Sequence, residues 1–222
     1  MHNSLVLAAT GLNREARILE GPGVRALAGG GDGVRLEAIL DQACAGASGL
    51  ISIGLGGALA KGLYPGDWVV ASRVGQTETD PDWARQLMAA LPDARLGPIA
   101  GSDVMLVDAA AKAALHAATG ALAVDMESHI AARVAARHGL PFVAARTISD
   151  AADRALPRAA QAGMRPDGGM DVLAVIAALA RRPWELPALI RTGVEAEAAF
   201  RALLRGRQLL GPTLGRPGAD LG

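Results

Sequence analysis

Two carboxylates set one helix and one strand apart are the residues best suited to chemistry. Glu127 lies in Ala123-Val124-Asp125-Met126-Glu127-Ser128, and Asp150 closes Leu140-Pro141-Phe142-Val143-Ala144-Ala145-Arg146-Thr147-Ile148-Ser149-Asp150. A strand–helix–strand unit of this kind can bring a helix start and a strand end to one cleft, the usual ligand position in α/β sheets. One carboxylate can accept both hydroxyl protons of a sugar diol, and another, when protonated, can pass its proton to a departing base. Each acid also has a plainer explanation. Glutamate is favoured at a helix N-terminus by the dipole, and Asp150 could cap a helix over Ala151-Ala152-Asp153. Arg146 is open between pairing a site carboxylate and forming a structural ion pair.

The elements that must hold these residues follow from the apolar pattern. Ser4 to Ala9 reads as a first buried strand, Thr10 to Arg14 as a polar turn, and Glu15 to Leu19 as a short helix or loop. A helix is expected from about Val34 to Ala45, then a strand over Leu50 to Gly54 running into Leu55-Gly56-Gly57-Ala58, and a strand over Asp67 to Ser72. Thr79 to Leu91 reads as a helix and Leu96 to Gly101 as a strand. Asp108 to Thr119 reads as a helix ended by Gly120 in the left-handed cap position. Leu122 to Met126, Ser128 to His138 and Phe142 to Ile148 read as strand, helix and buried strand. Further helices are expected over Asp171 to Arg181 and Trp184 to Arg205. This alternation predicts an α/β fold, a three-layer α/β/α sandwich around a central mixed β-sheet. We expect one domain over 1–205, with a tail over 206–222 that lacks fixed structure because Gly, Pro and polar residues dominate it.

Composition narrows the function classes. A formal net charge of zero argues against capture of nucleic acid. The single cysteine, Cys44, excludes an intrachain disulfide and reads as a buried helix residue. His2, His116, His129 and His138 show no metal-ligand spacing, so no metal is assigned. No apolar run approaches the ~20 residues of a membrane-spanning helix, and no secretory leader is evident at the amino terminus. These features predict a soluble, cytoplasmic protein. A short-chain dehydrogenase is excluded because the only tyrosine, Tyr64, is followed four positions later by Trp68 rather than lysine.

Met126-Glu127 and Arg146-x-Ile148-Ser149-Asp150, taken together at their spacing, resemble the nucleoside phosphorylase and nucleosidase superfamily. The resemblance covers most of residues 3 to 180. The short amino-terminal half, the Ala121-to-Ser128 run and the carboxy-terminal Arg-Arg-Pro segment are most similar to the hopanoid-associated phosphorylases. It implies an enzyme that breaks the N-glycosidic bond of an adenine nucleoside without any cofactor, using water or inorganic phosphate. By the resemblance, Glu127 bridges the ribose 2′- and 3′-hydroxyls, Met126 packs beneath the sugar, and Asp150, oriented by Ser149, is the general acid toward purine N7. That role calls for burial or carboxylate neighbours to keep Asp150 partly protonated. Glu15 matches by position the glutamate that activates water. Gly54, Gly56 and Gly57 resemble a glycine loop beneath ribose and phosphate, which could cradle an anion with backbone amides. Gly101-Ser102-Asp103-Val104-Met105-Leu106 is similar to the base-binding strand, with Met105 and Asp103 facing the base, although Met105 also suits an ordinary core.

Two departures bear on the nucleophile. Leu55 stands where the family usually has Ser or Thr, and Ser52 stands where phosphorolytic relatives have arginine, so the phosphate-touching side chains are missing and water is favoured. The closest resemblance implies adenosylhopane as substrate, and the wider family's habit implies a homo-oligomer; for a lipid substrate we expect peripheral membrane contact through the Trp184-to-Leu204 helices. The alternatives are a methylthioadenosine or S-adenosylhomocysteine nucleosidase and a non-catalytic nucleoside-binding domain. Three acids argue against the last, because a binder needs no base-facing proton donor.

Overall fold

The computed structural model describes residues 5–162 and 171–218. Five consecutive residues in β1 (Val6–Thr10) are fully buried, so this strand lies inside the sheet with both faces covered. It pairs in parallel with β2 (Val24–Ala28) on one side and β3 (Gly49–Ala58) on the other. Between them come α1 (Asn13–Leu19) and α2 (Gly33–Ala43), the latter capped by Asp32, which accepts the Arg35 N–H at 3.0 Å. The chain continues through β4 (Trp68–Val74), a two-residue β5 (Thr77–Glu78), α3 (Pro81–Ala90), β6 (Arg95–Gly101), α4 (Ala109–Thr119) and β7 (Ala123–Asp125). It closes with α5 (Ser128–His138), β8 (Phe142–Asp150), α6 (Arg158–Ala162), α7 (Val172–Arg181), a 3-10 turn at Pro183–Glu185 and α8 (Leu186–Leu210).

The sheet is mixed, and it closes on itself beyond β1 and β2. β3 pairs β8, β8 pairs β4, β4 pairs β6, β6 pairs β7, and β7 returns to Gly57 and Ala58 of β3. Helices cover both faces, as the alternation of the sequence predicts. Leu36 and Leu40 of α2 pack with Ile130 and Val134 of α5 in one core, while Leu19, Trp83, Leu87 and Leu203 from α1, α3 and α8 share the other.

Gly54, Gly56 and Gly57 are not a loop. They continue β3, paired in register with Arg146, Ile148 and Asp150 of β8. Glycine weakens a strand locally, but β8 on one side and β7 at the end supply the partners that keep it extended. Ser149 is the extra residue of a bulge there: Gly56 faces Ile148 while Gly57 already faces Asp150.

The expectation of an unstructured tail also fails over the described residues. α8 runs to Leu210, Leu210 and Leu214 are buried, and the Trp83 indole N–H donates to the Leu214 carbonyl at 2.9 Å. Two leucines and one long-range hydrogen bond outweigh a Gly/Pro-rich composition. Residues 219–222 of the predicted tail lie outside the described part.

Candidate active site

β1, β3 and β8 run parallel, so Thr10, Gly54 and Asp150 come out at the same edge of the sheet. Glu15 starts α1 just after β1 and turns back under it. Its Oε2 accepts the Gly11 and Leu12 N–H groups at 2.9 and 2.7 Å, half of a capping box, while Oε1 crosses to β3 and accepts the Leu55 N–H at 2.7 Å. The helix-start explanation of Glu15 is therefore partly realised, yet the bond to Leu55 serves no cap. Three of about four acceptor positions are filled, leaving one on Oε1. Burial raises the Glu15 carboxyl above its ordinary range against these hydrogen bonds and Arg146.

Glu127 is placed by its neighbour. Asp125 Oδ1 accepts the N–H groups of Glu127 and Ser128 at 2.9 and 2.7 Å and so caps α5, and Glu127 makes no side-chain capping bond. The plain helix-dipole explanation of Glu127 thus falls to Asp125, and the Glu127 side chain is left to face Gly11. A Cβ added at Gly11 would stand 2.7 Å from Glu127 Oε1, and one at Gly54 2.7 Å from Glu15 Oε1. Both positions need glycine because a carboxylate occupies the space. Gly11 therefore donates its N–H to Glu15 and presents its bare α-carbon to Glu127, and the two acids meet there. Met126 N–H lies 3.3 Å from Glu127 Oε2.

Arg146, fully buried, serves this cluster. Its Nε faces Asp125 Oδ2 at 2.9 Å as a charge pair without hydrogen-bond alignment, Nη2 lies 3.8 Å from Glu127 Oε2, and Nη2 donates to Ser52 Oγ at 2.6 Å. Both readings of Arg146 are realised, since one guanidinium holds a structural aspartate and also neighbours a site carboxylate. Burial first, then Asp125, pushes Glu127 up to about 8, with Arg146 opposing and Glu15 adding.

Asp150 stands apart from this pair. Gly57, which it faces across the bulge, is three residues along β3 from Gly54, about 10 Å of strand. It caps no helix. Ser149 Oγ donates to Asp150 Oδ1 at 2.6 Å and contacts the Gly56 carbonyl at 3.3 Å. The neighbour on Oδ2 is a cation, the Lys112 ammonium, rather than another carboxylate. A cavity of about 180 Å³ opens beside Asp150, lined also by Asp153, Leu156, Ala188, Arg191 and Glu195.

Met105 and Asp103 are not enclosed near these acids. Gly101 ends β6, Ser102 turns the chain by bonding Val104, and the loop projects outward. Asp103 is 88% exposed and pairs with His129 Nε2 at 2.9 Å, and Met105 is also exposed. The base-binding strand suggested by resemblance is a surface bend.

Sequence reasoning missed two residues, Asp125 and Lys112. Asp125 stands two positions before Glu127, the spacing of a cap that frees its neighbour. Lys112 is the lone charge in Ala109-Ala110-Ala111-Lys112-Ala113-Ala114, which hinted at a buried anchor. Among the described residues no group of three His, Cys, Asp or Glu side chains could hold a metal ion.

Solved structures share this fold. The Helicobacter pylori 5′-methylthioadenosine/S-adenosyl homocysteine nucleosidase aligns with a TM-score of 0.68 at 14% identity, over 96% of this chain and 99% of that one. The Streptococcus pyogenes S-adenosylhomocysteine nucleosidase aligns at 0.64 and 17% identity, over 95% of both chains. The Streptococcus pneumoniae MTA/SAH nucleosidase, in complex with 8-aminoadenine, aligns at 0.60 and 18% identity, over 90% of this chain and 97% of that one. No curated protein matches the sequence. The family model of the phosphorylase superfamily matches residues 24–182, well over half the chain and inclusive of Glu127, Arg146 and Asp150. On that match, with the fold and acid cluster beside it, the chain belongs to the phosphorylase superfamily.

Proposed function

We propose that the protein cleaves the N-glycosidic bond of an adenine nucleoside with water, and that its substrate carries an apolar 5′ group of the adenosylhopane kind. The observation that carries this reading is the meeting of Glu15 and Glu127 at Gly11, with Glu15 also against Gly54 and Asp150 against Gly57, about 10 Å further along β3. A nucleoside laid along Gly54–Gly57 places its ribose against two carboxyls and its base toward a third. Glu127 takes the diol, Glu15 takes a proton from water, and Asp150 serves the departing base. A ribosyl group that turns positive as the bond breaks is stabilised by this excess of acids in a dry site.

Water is favoured over phosphate because the amide a phosphate would need is engaged. Leu55 N–H is held by Glu15, and Ser52 is buried beneath Arg146, so neither meets a ligand. Support for an apolar 5′ group comes from α7 and the start of α8. No described residue of α7 is buried although nine of its ten are apolar, and Leu173, Ile176, Trp184, Leu186 and Ile190 are exposed. Ala188 and Arg191 of the same segment line the cavity at Asp150, and Arg181 and Arg182 suit an anionic lipid surface. Among the described residues no helix is long and apolar enough to cross a membrane. The second reading, a methylthioadenosine or S-adenosylhomocysteine nucleosidase, draws on the solved structures that share the fold.

One experiment separates these. Adenine release is measured from adenosylhopane and from methylthioadenosine, with and without phosphate and anionic liposomes, with mass analysis of the sugar product. We expect free ribosyl product, no phosphate dependence, preference for the lipid substrate, and co-sedimentation with liposomes. Asp150→Asn, which keeps an acceptor for Lys112, lowers turnover at least ~10²-fold. A phosphorylated sugar product overturns the role of water. Preference for methylthioadenosine, or an apolar face found buried between two copies of the chain, overturns the lipid substrate.

A further inference from the structure

Lys112 is the one buried residue of α4, a helix made mostly of alanines, most of them exposed. Its ammonium has three N–H donors, and each finds an oxygen: Asp150 Oδ2, the Ala151 carbonyl at 3.1 Å and the Arg154 carbonyl at 3.1 Å. A buried lysine is costly unless so satisfied, and a structural pin for α4 would account for the two carbonyls. The third contact does more, because it aims a protonated nitrogen at the carboxylate that must serve as an acid.

An aspartate paired with an ammonium is a carboxylate, and a carboxylate has no proton to give. We propose that Lys112 is the proton source behind Asp150: a positioning residue that holds the carboxylate and, through it, supplies the proton taken by the departing base. This rests on the reading given under Proposed function. As the bond from C1′ to the ring nitrogen breaks, its electron pair passes into the purine. An N–H bond of Lys112 breaks, and its proton passes to the Asp150 carboxylate and on to a second ring nitrogen, so Asp150 ends as the carboxylate it was. Water bonds to C1′ and leaves a proton on Glu15. Lys112, now a neutral amine, regains a proton from solvent through the cavity beside Asp150 as Glu15 releases its own.

Other charged groups near the pair are accounted for. Asp153 and Arg154 follow β8, and Arg191 and Glu195 of α8 line the same cavity. On α4, Asp108 caps the helix and His116 Nδ1 lies 2.8 Å from the Ala121 carbonyl. Asp125 and Glu127 pair with Arg146, whose side chain packs on Gly56, whereas Asp150 packs on Gly57. Among these, Lys112 is the group hydrogen-bonded to Asp150 that carries a proton it can release, since guanidinium keeps its own.

The test compares Lys112→Arg and Lys112→Met with the wild type, reading kcat, KM and the pH profile of adenine release, with thermal melting to confirm folding. Arginine retains the ion pair but not a transferable proton. Lys112→Arg is expected to keep KM within ~3-fold and lose at least ~10-fold in kcat. In Lys112→Met the carboxyl must keep its own proton, so the alkaline limb of kcat moves down by about one pH unit or more. Wild-type kcat in Lys112→Arg, or a Lys112→Met profile lowered equally at every pH, overturns the proposal and leaves Lys112 a structural pin. If Lys112→Met does not fold, Lys112→Arg decides. A wild type that releases adenine from no nucleoside would instead overturn the function itself, a result distinct from an active enzyme indifferent to Lys112.

Discussion

Glu127 sits where burial, Asp125 and Glu15 all favour its neutral form, and Arg146 only partly offsets them. The Glu127 carboxyl is therefore held toward its protonated form in the ligand-free site. The same proton has a consequence for folding. In the unfolded chain this carboxyl ionises near 4.5, and in the folded site near about 8. Between those values the folded protein binds a proton that the unfolded chain has lost. Its contribution to stability is fully present below about 4.5 and is lost as pH rises through about 8. Glu15, raised by burial, acts with the same sign. Chemical denaturation of the ligand-free protein between about pH 5 and pH 9 should therefore show the midpoint falling with pH, and Glu127→Gln should flatten that fall. An equal slope in the variant would place the extra proton elsewhere.

At the scale of the element, β3 is the device that gathers the site, and its glycines are read from the space around them. Gly54 has no need of an unusual φ, so alanine is conformationally allowed there. A Cβ at that position would lie 2.7 Å from Glu15 Oε1 and 2.9 Å from Cδ, forcing the carboxylate off Leu55 N–H. Gly54→Ala should lower kcat/KM by about 10²-fold, the size of a misplaced catalytic group, with little change in melting temperature. Gly193→Ala in α8, where a Cβ meets nothing within 4 Å, is the control that should leave activity unchanged. The glycines also mark what was legible in the sequence. The ends of α4 and α5 were readable because their signals are local: Asp108 accepts the Ala111 N–H, and Gly120 and Gly139 take φ of 68° and 63°. The extension of β3 past Gly54 was not, because Gly56 and Gly57 read as a loop until β8 and β7 flank them. β2, a five-residue strand directly after Gly21-Pro22-Gly23 that carries an exposed arginine, is an edge strand whose only evidence is its pairing with β1. Lys112 and Asp150, 38 residues apart, meet only once α4 docks on the end of β8.

At the scale of the whole molecule, the last turn of the chain closes the face opposite α2 and α5. Composition hid this, since Gly211, Pro212, Gly215 and Pro217 read as linker while the two residues that anchor the segment, Leu210 and Leu214, are ordinary leucines. Leu214 takes a φ of 50° and is fully buried with Leu87, Trp83 and Val143, and its carbonyl receives the indole N–H of a residue 131 positions earlier. Nearby, Arg207 Nε donates to the Leu19 carbonyl at 3.0 Å, which ties α8 to α1, the helix that carries Glu15. The tail thus braces the helix that carries Glu15 without touching the site. Leu214→Ala leaves the backbone carbonyl for Trp83 and removes only the side chain, so its effect isolates packing. A buried leucine truncated to alanine costs about 2–5 kcal/mol, which in a chain of this size lowers the melting temperature by roughly 5–15 °C. Adenine release at about 20 °C should stay near wild type, because no group of the site moves. A melting temperature unchanged by Leu214→Ala would mean that the chain beyond α8 is loose in solution, as its composition alone suggests, and that α8 and α1 stay in place without it.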